Sequence, residues 1–210
     1  MAIKKNGSND SFSGKLGGVV NYKWKGRECG REWVKPKDRK TPAQLECRRI
    51  FGRASSIGSA MVQVVRIGFR GIAEEQQTTE KNVFVKLNRR HISVVDDEVV
   101  VDYPHLQVAD GHLEPVDFGE PVTADGRTIS VAFSGSPQAN RFNYVMLAIY
   151  LPQKHYCLLS EPVFRRAGSA EIILPESWVG YETHLYGFCW DGKNEVSPSS
   201  YIGVVNGQNS

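Results

Sequence analysis

The sequence predicts a mainly β, α+β protein in which an N-terminal basic β-hairpin and a helix precede a β-sandwich. Three observations predict it. Apolar and polar residues alternate over residues 19–25, the period of a half-covered strand. Apolar residues then recur at spacings of three and four between Leu45 and Val65, the period of a helix. Beyond residue 114, short apolar or alternating runs recur between turn signals, the pattern of packed antiparallel sheets.

Residues 1–11 are polar and read as a flexible tail. Phe12-Ser13-Gly14-Lys15-Leu16-Gly17-Gly18 reads as a glycine-rich lead-in. Val20, Tyr22 and Trp24 then share one strand face against Asn21, Lys23 and Lys25 on the other. Lys25-Gly26 is the turn, because glycine takes positive φ without steric cost. Residues 27–34 return as a partner strand that Gly30 interrupts. Lys35-Pro36-Lys37-Asp38-Arg39-Lys40 is a charged connector, and Pro36 ends the ladder.

Helix signals follow. Thr41 suits the N-cap, Pro42 the first helical position, and Gln44 completes a capping box. Leu45, Ile50, Phe51, Ala54, Ile57, Met61, Val64 and Val65 carry the helical spacing. Gly52 and Gly58 weaken it by about 1 kcal/mol each relative to Ala. One bent helix or two short ones are expected over residues 42–68, with Gly71 as the stop. Residues 72–113 read as an irregular and β linker region, with a short helical turn over residues 81–87. Within it, Val94-Val95 and Val99-Val100-Val101 flank the turn residues Asp96-Asp97-Glu98.

From residue 114 to 207 the strands become regular. Ile129, Val131 and Phe133 alternate, and residues 144–151 form a continuous apolar run, as in a strand buried on both faces. Residues 155–159, 170–174, 183–190 and 201–205 follow, separated by turn signals such as Asp191-Gly192. Six or seven strands at this spacing predict a sandwich of immunoglobulin or fibronectin type III kind. The expected organisation is therefore residues 1–40 as tail, hairpin and connector, 41–71 as helix, 72–113 as linker region and 114–207 as sandwich.

A chain of 210 residues can bury a core for one or two domains. No apolar run approaches the roughly 20 residues of a membrane span. The opening residues lack the apolar core of a secretory signal, so the expected location is the cytoplasm or a virion. Cys29, Cys47, Cys157 and Cys189 show no C-x-x-C spacing. This excludes a zinc ribbon and leaves reduced thiols as the expectation. The net charge of +3 hides an asymmetry. Residues 1–53 hold 14 Lys/Arg and five Asp/Glu, a balance of +9, and the rest hold 12 and 18, a balance of −6. A cationic front is drawn to something negative: nucleic acid, a phosphorylated surface, or the acidic body of another copy.

Three groups of residues carry a resemblance. They are Phe12-Ser13-Gly14-Lys15-Leu16-Gly17, Tyr22-Lys23-Trp24-Lys25-Gly26 and Lys40-Thr41-Pro42-Ala43-Gln44-Leu45. With Ile67-Gly68-Phe69 and the closing Asp191-Gly192-Lys193, Val196-Ser197, Ser200-Tyr201 and Gly203-Val204, the chain resembles an uncharacterised family common in Bacteroides and its relatives, domain-of-unknown-function family 6266. The resemblance spans both ends and most of the length. It implies an architecture, and it brings no activity, cofactor or catalytic residues. The chain departs from the family pattern at Cys29-Gly30 and in the loop before Tyr103-Pro104.

The chemistry of the sequence points away from catalysis. There is no P-loop, no G-x-G-x-x-G opening a helix, no H-E-x-x-H, no EF-hand loop and no nucleophile elbow. His91, His105, His112, His155 and His184 lack the close spacing of metal ligands, although His155 and His184 lie where neighbouring strands would bring them together. Asp96, Asp97, Glu98 and Asp102 read as a solvated turn before they read as a calcium site. No enzyme, cofactor or metal site is expected.

The remaining candidate is the cationic aromatic segment: Tyr22, Lys23, Trp24, Lys25, Arg27, Arg31, Trp33, Lys35, Lys37, Arg39 and Lys40. Its first expected use is assembly: an arm that docks on another copy or another protein by strand addition. The alternative is nucleic-acid binding through residues 15–49, with rings stacking on bases and cations holding phosphates. A carbohydrate platform on Trp178 and Trp190 is a further reading, and no membrane partner is expected.

Overall fold

The computed structural model describes residues 3–4, 12–35, 38–135 and 142–206. The contacts divide the chain into two compact units, Met1–Thr41 and Pro42–Ser210. Each is described by itself.

The first unit is an antiparallel four-stranded sheet in sequence order. Its strands are β1 (Ile3–Lys4), β2 (Phe12–Leu16), β3 (Val19–Trp24) and β4 (Arg27–Glu32). The glycine-rich lead-in is thus itself a strand, and the hairpin becomes the second half of a meander. Gly17 has a φ of 59° in the two-residue β2–β3 turn, and Lys25 and Gly26 have φ of 45° and 81° in the β3–β4 turn. Two consecutive positive φ values define the type I′ geometry, whose twist matches that of the flanking strands. β4 runs unbroken through Gly30, which pairs with Asn21. Positions 1–2 and 5–11 of the expected tail lie outside the described residues.

The second unit begins with helices α1 (Pro42–Ala60), α2 (Val62–Gly68), α3 (Arg70–Glu75) and α4 (Glu80–Asn88). The expected break in the long helix falls at Met61. Gly71 does not stop a helix; it lies inside α3, and α2 ends at Gly68. The tight position is Gly68, where a Cβ would meet the Val108 carbonyl oxygen at 2.2 Å. The stretch expected to be an irregular and β linker holds most of α3, and the short helical turn expected over residues 81–87 is the longer helix α4. Thr79 caps α4 by accepting the Asn82 amide at 3.3 Å, and Val83, Phe84 and Val85 turn inward. β5 (Ile92–Val95) and β6 (Glu98–Val101) form a hairpin around Asp96-Asp97, both at positive φ.

Two sheets complete this unit. The larger has the order β10-β9-β13-β14, with β11 also on β9, and the smaller the order β12-β8-β7. Their strands are β7 (Asp117–Ala124), β8 (Thr128–Ser134), β9 (Tyr144–Leu151), β10 (Tyr156–Leu159), β11 (Val163–Phe164), β12 (Ser169–Ile173), β13 (Glu182–Trp190) and β14 (Ser200–Asn206). Between the sheets pack Val145, Leu147, Ile149 and Leu151 of β9, Leu185 and Cys189 of β13, and Ile129, Val131 and Phe133 of β8.

The other face of the larger sheet, through Met146, Ala148, Tyr150, Tyr186 and Phe188, packs on Ala54, Ile57, Met61, Val65, Phe69 and Phe84 of the helices. Strand β9 is therefore covered twice, by the smaller sheet and by the helical layer, and this is why its sequence is apolar without alternation. The molecule is mainly β with an immunoglobulin/fibronectin-III-like sandwich, as the strand spacing predicts, and the helices form a third layer on it.

Buried polar side chains hold the irregular segments to these layers. The Asn88 amide donates to the carbonyl oxygens of Phe84 and Gln107 at 3.0 and 2.8 Å and accepts the Gln107 N–H at 2.7 Å. Arg165 donates to the carbonyls of Glu114 and Pro115 at 2.7 Å each. Ser197 accepts the Cys189 amide at 2.9 Å. Buried backbone groups must find partners, and these three side chains supply them.

Candidate interface on the N-terminal sheet

From Ser13 to Arg53, no residue whose burial the structure describes is buried. This holds although Leu16, Trp24 and Val34 are 61%, 57% and 67% exposed and Val19, Tyr22 and Trp33 are also open to solvent. A sheet normally forms because it buries at least one face. Here the described side chains leave both faces open.

Register sorts these side chains. Across the Lys25-Gly26 turn, Trp24 faces Arg27, Tyr22 faces Cys29 and Val20 faces Arg31. On the other side of β3, Val20 faces Lys15. Directly opposed residues share a face, and successive residues alternate. One face therefore presents Lys15, Tyr22, Trp24, Arg27 and Arg31, and the same parity continues to Trp33. The Lys15 Nζ lies 3.4 Å from the Trp33 ring centroid, and Lys25 Nζ lies 5.0 Å from that of Trp24. The opposite face carries Leu16, Val19, Asn21 and Lys23, with Glu28 opposed to Lys23 and Glu32 to Val19.

The structure thus divides the predicted set. Tyr22, Trp24, Arg27, Arg31 and Trp33 come together, and Lys23 goes to the acidic face. Lys35, Arg39 and Lys40 lie in the exposed connector, and Lys37 lies outside the described residues. Lys15 is the member that residue-by-residue reading leaves out. The signal for it was present: a two-residue turn at Lys25-Gly26 fixes every pair across β3 and β4, and Gly17-Gly18 does the same for β2.

The edge of the sheet has its own polarity. The Trp33 amide donates to the Gly18 carbonyl at 2.8 Å. Hydrogen-bonded and non-bonded pairs alternate in an antiparallel ladder. Arg27, Cys29 and Arg31 therefore direct their backbone groups at β3, and Glu28, Gly30 and Glu32 direct theirs outward.

The second unit absorbs most of the other chemical candidates. Asp96 and Asp97 form the hairpin turn, and Asp97 pairs with Arg49, which holds its carboxyl below the usual range. His105 Nδ1 lies 2.7 Å from Asp102 and its ring stacks on His91 at 5.8 Å. His155 and His184 flank one aromatic cluster: His155 is 3.0 Å from Arg53 Nη1 and 3.4 Å from the Tyr150 hydroxyl, and His184 stacks on Tyr103 at 4.0 Å and meets the Tyr201 hydroxyl at 3.0 Å. Burial pushes His184 below its ordinary value, with Glu182 acting the other way. Burial also pushes the Tyr150 phenol and the Cys157 thiol up to about 12. Trp178 is buried in the sandwich core and so cannot serve as a sugar platform, and Trp190 donates its indole N–H to the Lys193 carbonyl. The four cysteines are free thiols, and no cluster of three or more metal-ligating side chains occurs among the described residues.

Fold and surface together define a class: a helix-backed β-sandwich protein carrying an exposed cationic sheet at its N-terminus. The chain belongs to a family of unknown function (DUF6266), whose model matches residues 11–203. No curated protein matches it. Among solved structures it is similar to the fn3 domain of human collagen alpha-1(XX) chain, determined in solution. That similarity covers 49% of this chain and 87% of the other, at 14% identity and a TM-score of 0.35. Among the described residues, no helix is long and apolar enough to cross a membrane.

Proposed function

We propose that the chain is a non-enzymatic structural protein that assembles by docking its N-terminal sheet on a surface outside its own fold, that of another copy or a partner protein. The observation that carries this reading is that no residue from Ser13 to Arg53 whose burial is described is buried, in a segment rich in exposed rings and aliphatic side chains. Exposed apolar surface of this kind marks interaction sites. The open β4 edge supports strand addition, with Gly30 at its middle allowing close approach.

Charge favours a head-to-body contact between copies. Two β4 edges paired antiparallel about Gly30 would set Glu28 of one against Glu32 of the other, and like charges directly opposed are unfavourable. The +9 segment and the −6 remainder attract instead. Head-to-body contacts are heterologous and generate rings or filaments, such as a virion component or an intracellular self-assembling protein would build. Light scattering on the full chain and on a form lacking residues 1–40 tests this. The full chain should give multiples of 23.4 kDa and the shortened form a single copy; the same number of copies in both would rule out the arm.

A further inference from the structure

We infer that the aromatic face of the N-terminal sheet binds single-stranded nucleic acid. This rests on the reading of that sheet as a docking element and gives it a second partner through a different surface, the face rather than the β4 edge. The register makes the case. Tyr22 and Trp24 form a row along the central strand β3. Lys15 borders that row on β2, and Arg27 and Arg31 border it on β4. Glu28 and Glu32, the carboxylates of β4, both fall on the opposite face.

That arrangement suits an unpaired strand. Rings two residues apart on a strand repeat at about 6.8 Å and offer flat faces on which any base can stack. Cations on both sides of the row track the phosphates that run alongside. Bases in a duplex are stacked on one another and present no ring face to a flat sheet, whereas splayed single-stranded bases do. An acidic protein would have to bring a separately placed carboxylate to each cation, while a nucleic-acid backbone supplies a charge at every nucleotide.

The test uses the full chain and fluorescein-labelled oligo(dT) and oligo(U) of about 20 nucleotides, longer than one site on a small β domain. Anisotropy titrations at about 50 mM and about 200 mM salt should differ by about 20-fold if three phosphates are held, since the slope per phosphate is about −0.7 on single strands. Arg27→Gln with Arg31→Gln should weaken low-salt binding at least about tenfold and flatten the salt slope by about 1.4. Arg31→Lys should retain the slope. Lys23→Gln removes a charge from the same hairpin on the opposite face and should change binding less than about twofold. Equal losses for Lys23→Gln and Arg31→Gln would mean diffuse attraction and would overturn the site. Binding of polyglutamate with the same variant pattern, and no binding of either oligonucleotide, would give the face to an acidic protein and overturn it too. Oligonucleotide binding that fails while head-dependent assembly persists defeats this inference alone, and the reverse defeats the assembly reading alone.

Discussion

The two units of this chain are both built on antiparallel sheet, and they satisfy opposite conditions. In the second unit, strand β9 is covered on both faces and eight side chains from Tyr144 to Leu151 include seven that are buried. In the first unit, β3 sits at the centre of its sheet and none of its six residues is buried. Hydrogen-bond register is complete in both. The difference is apolar cover, and it shows that a ladder reveals how a strand is paired while burial reveals what it is for. A core built from its own chain makes a body; a sheet whose described side chains stay exposed is the surface on which the proposed docking depends.

The comparison breaks most readily at single aromatic residues. Phe84 is fully buried, edge-on to Phe69 at 6.2 Å and against Gly58, and Phe84→Ala should destabilise the second unit by about 3–5 kcal/mol in urea denaturation. Trp24→Ala, at a larger side chain, should change the same transition by no more than about 0.5 kcal/mol in dilute protein. A cost for Trp24→Ala that approaches the Phe84 value would mean the first sheet is already covered.

Asn88→Ala gives the next largest effect. It strips partners from the carbonyls of Phe84 and Gln107 and from the Gln107 amide, so a loss of about 2–3 kcal/mol is expected by the same denaturation measurement. A loss near zero would show that the tie between α4 and the following segment is replaceable by water.

The smallest effect is on pH dependence, and it belongs to the body. Burial lowers the His184 value in the folded chain, so the unfolded chain takes up the proton more readily. Stability is then full above the unfolded value of about 6.5 and declines as pH falls below it. His91 is lowered too, by burial first and by Arg90 next, and adds in the same direction. Thermal midpoints of the second unit should fall on acidification through that window, and His184→Gln should flatten the fall. A rise on acidification would contradict the burial argument.

Much of the body was legible in the sequence because its signals are periodic. The β8 alternation and the β9 run read directly as one-sided and two-sided burial. Helix α3 was not legible, and α4 was legible only as a short turn over residues 81–87. Their buried residues, Ala73, Val83, Phe84, Val85 and Asn88, are few and set among charged ones. Their place is fixed by packing against distant segments, as the Gly68–Val108 approach shows. Asn88, Arg165 and Ser197 look like surface residues in a sequence, and only the backbone groups they satisfy reveal them as interior. The candidate interface was legible in composition but not in arrangement. The turn residues that fix its register could be read from the sequence, but the faces that follow from them emerge only when the pairing is carried residue by residue across three strands.

Hydrogen exchange at the β4 amides tests the central claim most directly. The amides of Glu28, Gly30 and Glu32 point away from β3, and those of Cys29 and Arg31 point toward it. If another molecule completes this sheet, exchange at Glu28, Gly30 and Glu32 slows as protein concentration rises into the assembling range, while Cys29 and Arg31 stay protected throughout. Exchange at those three amides that is equally fast at every concentration, in protein that nonetheless assembles, would contradict it.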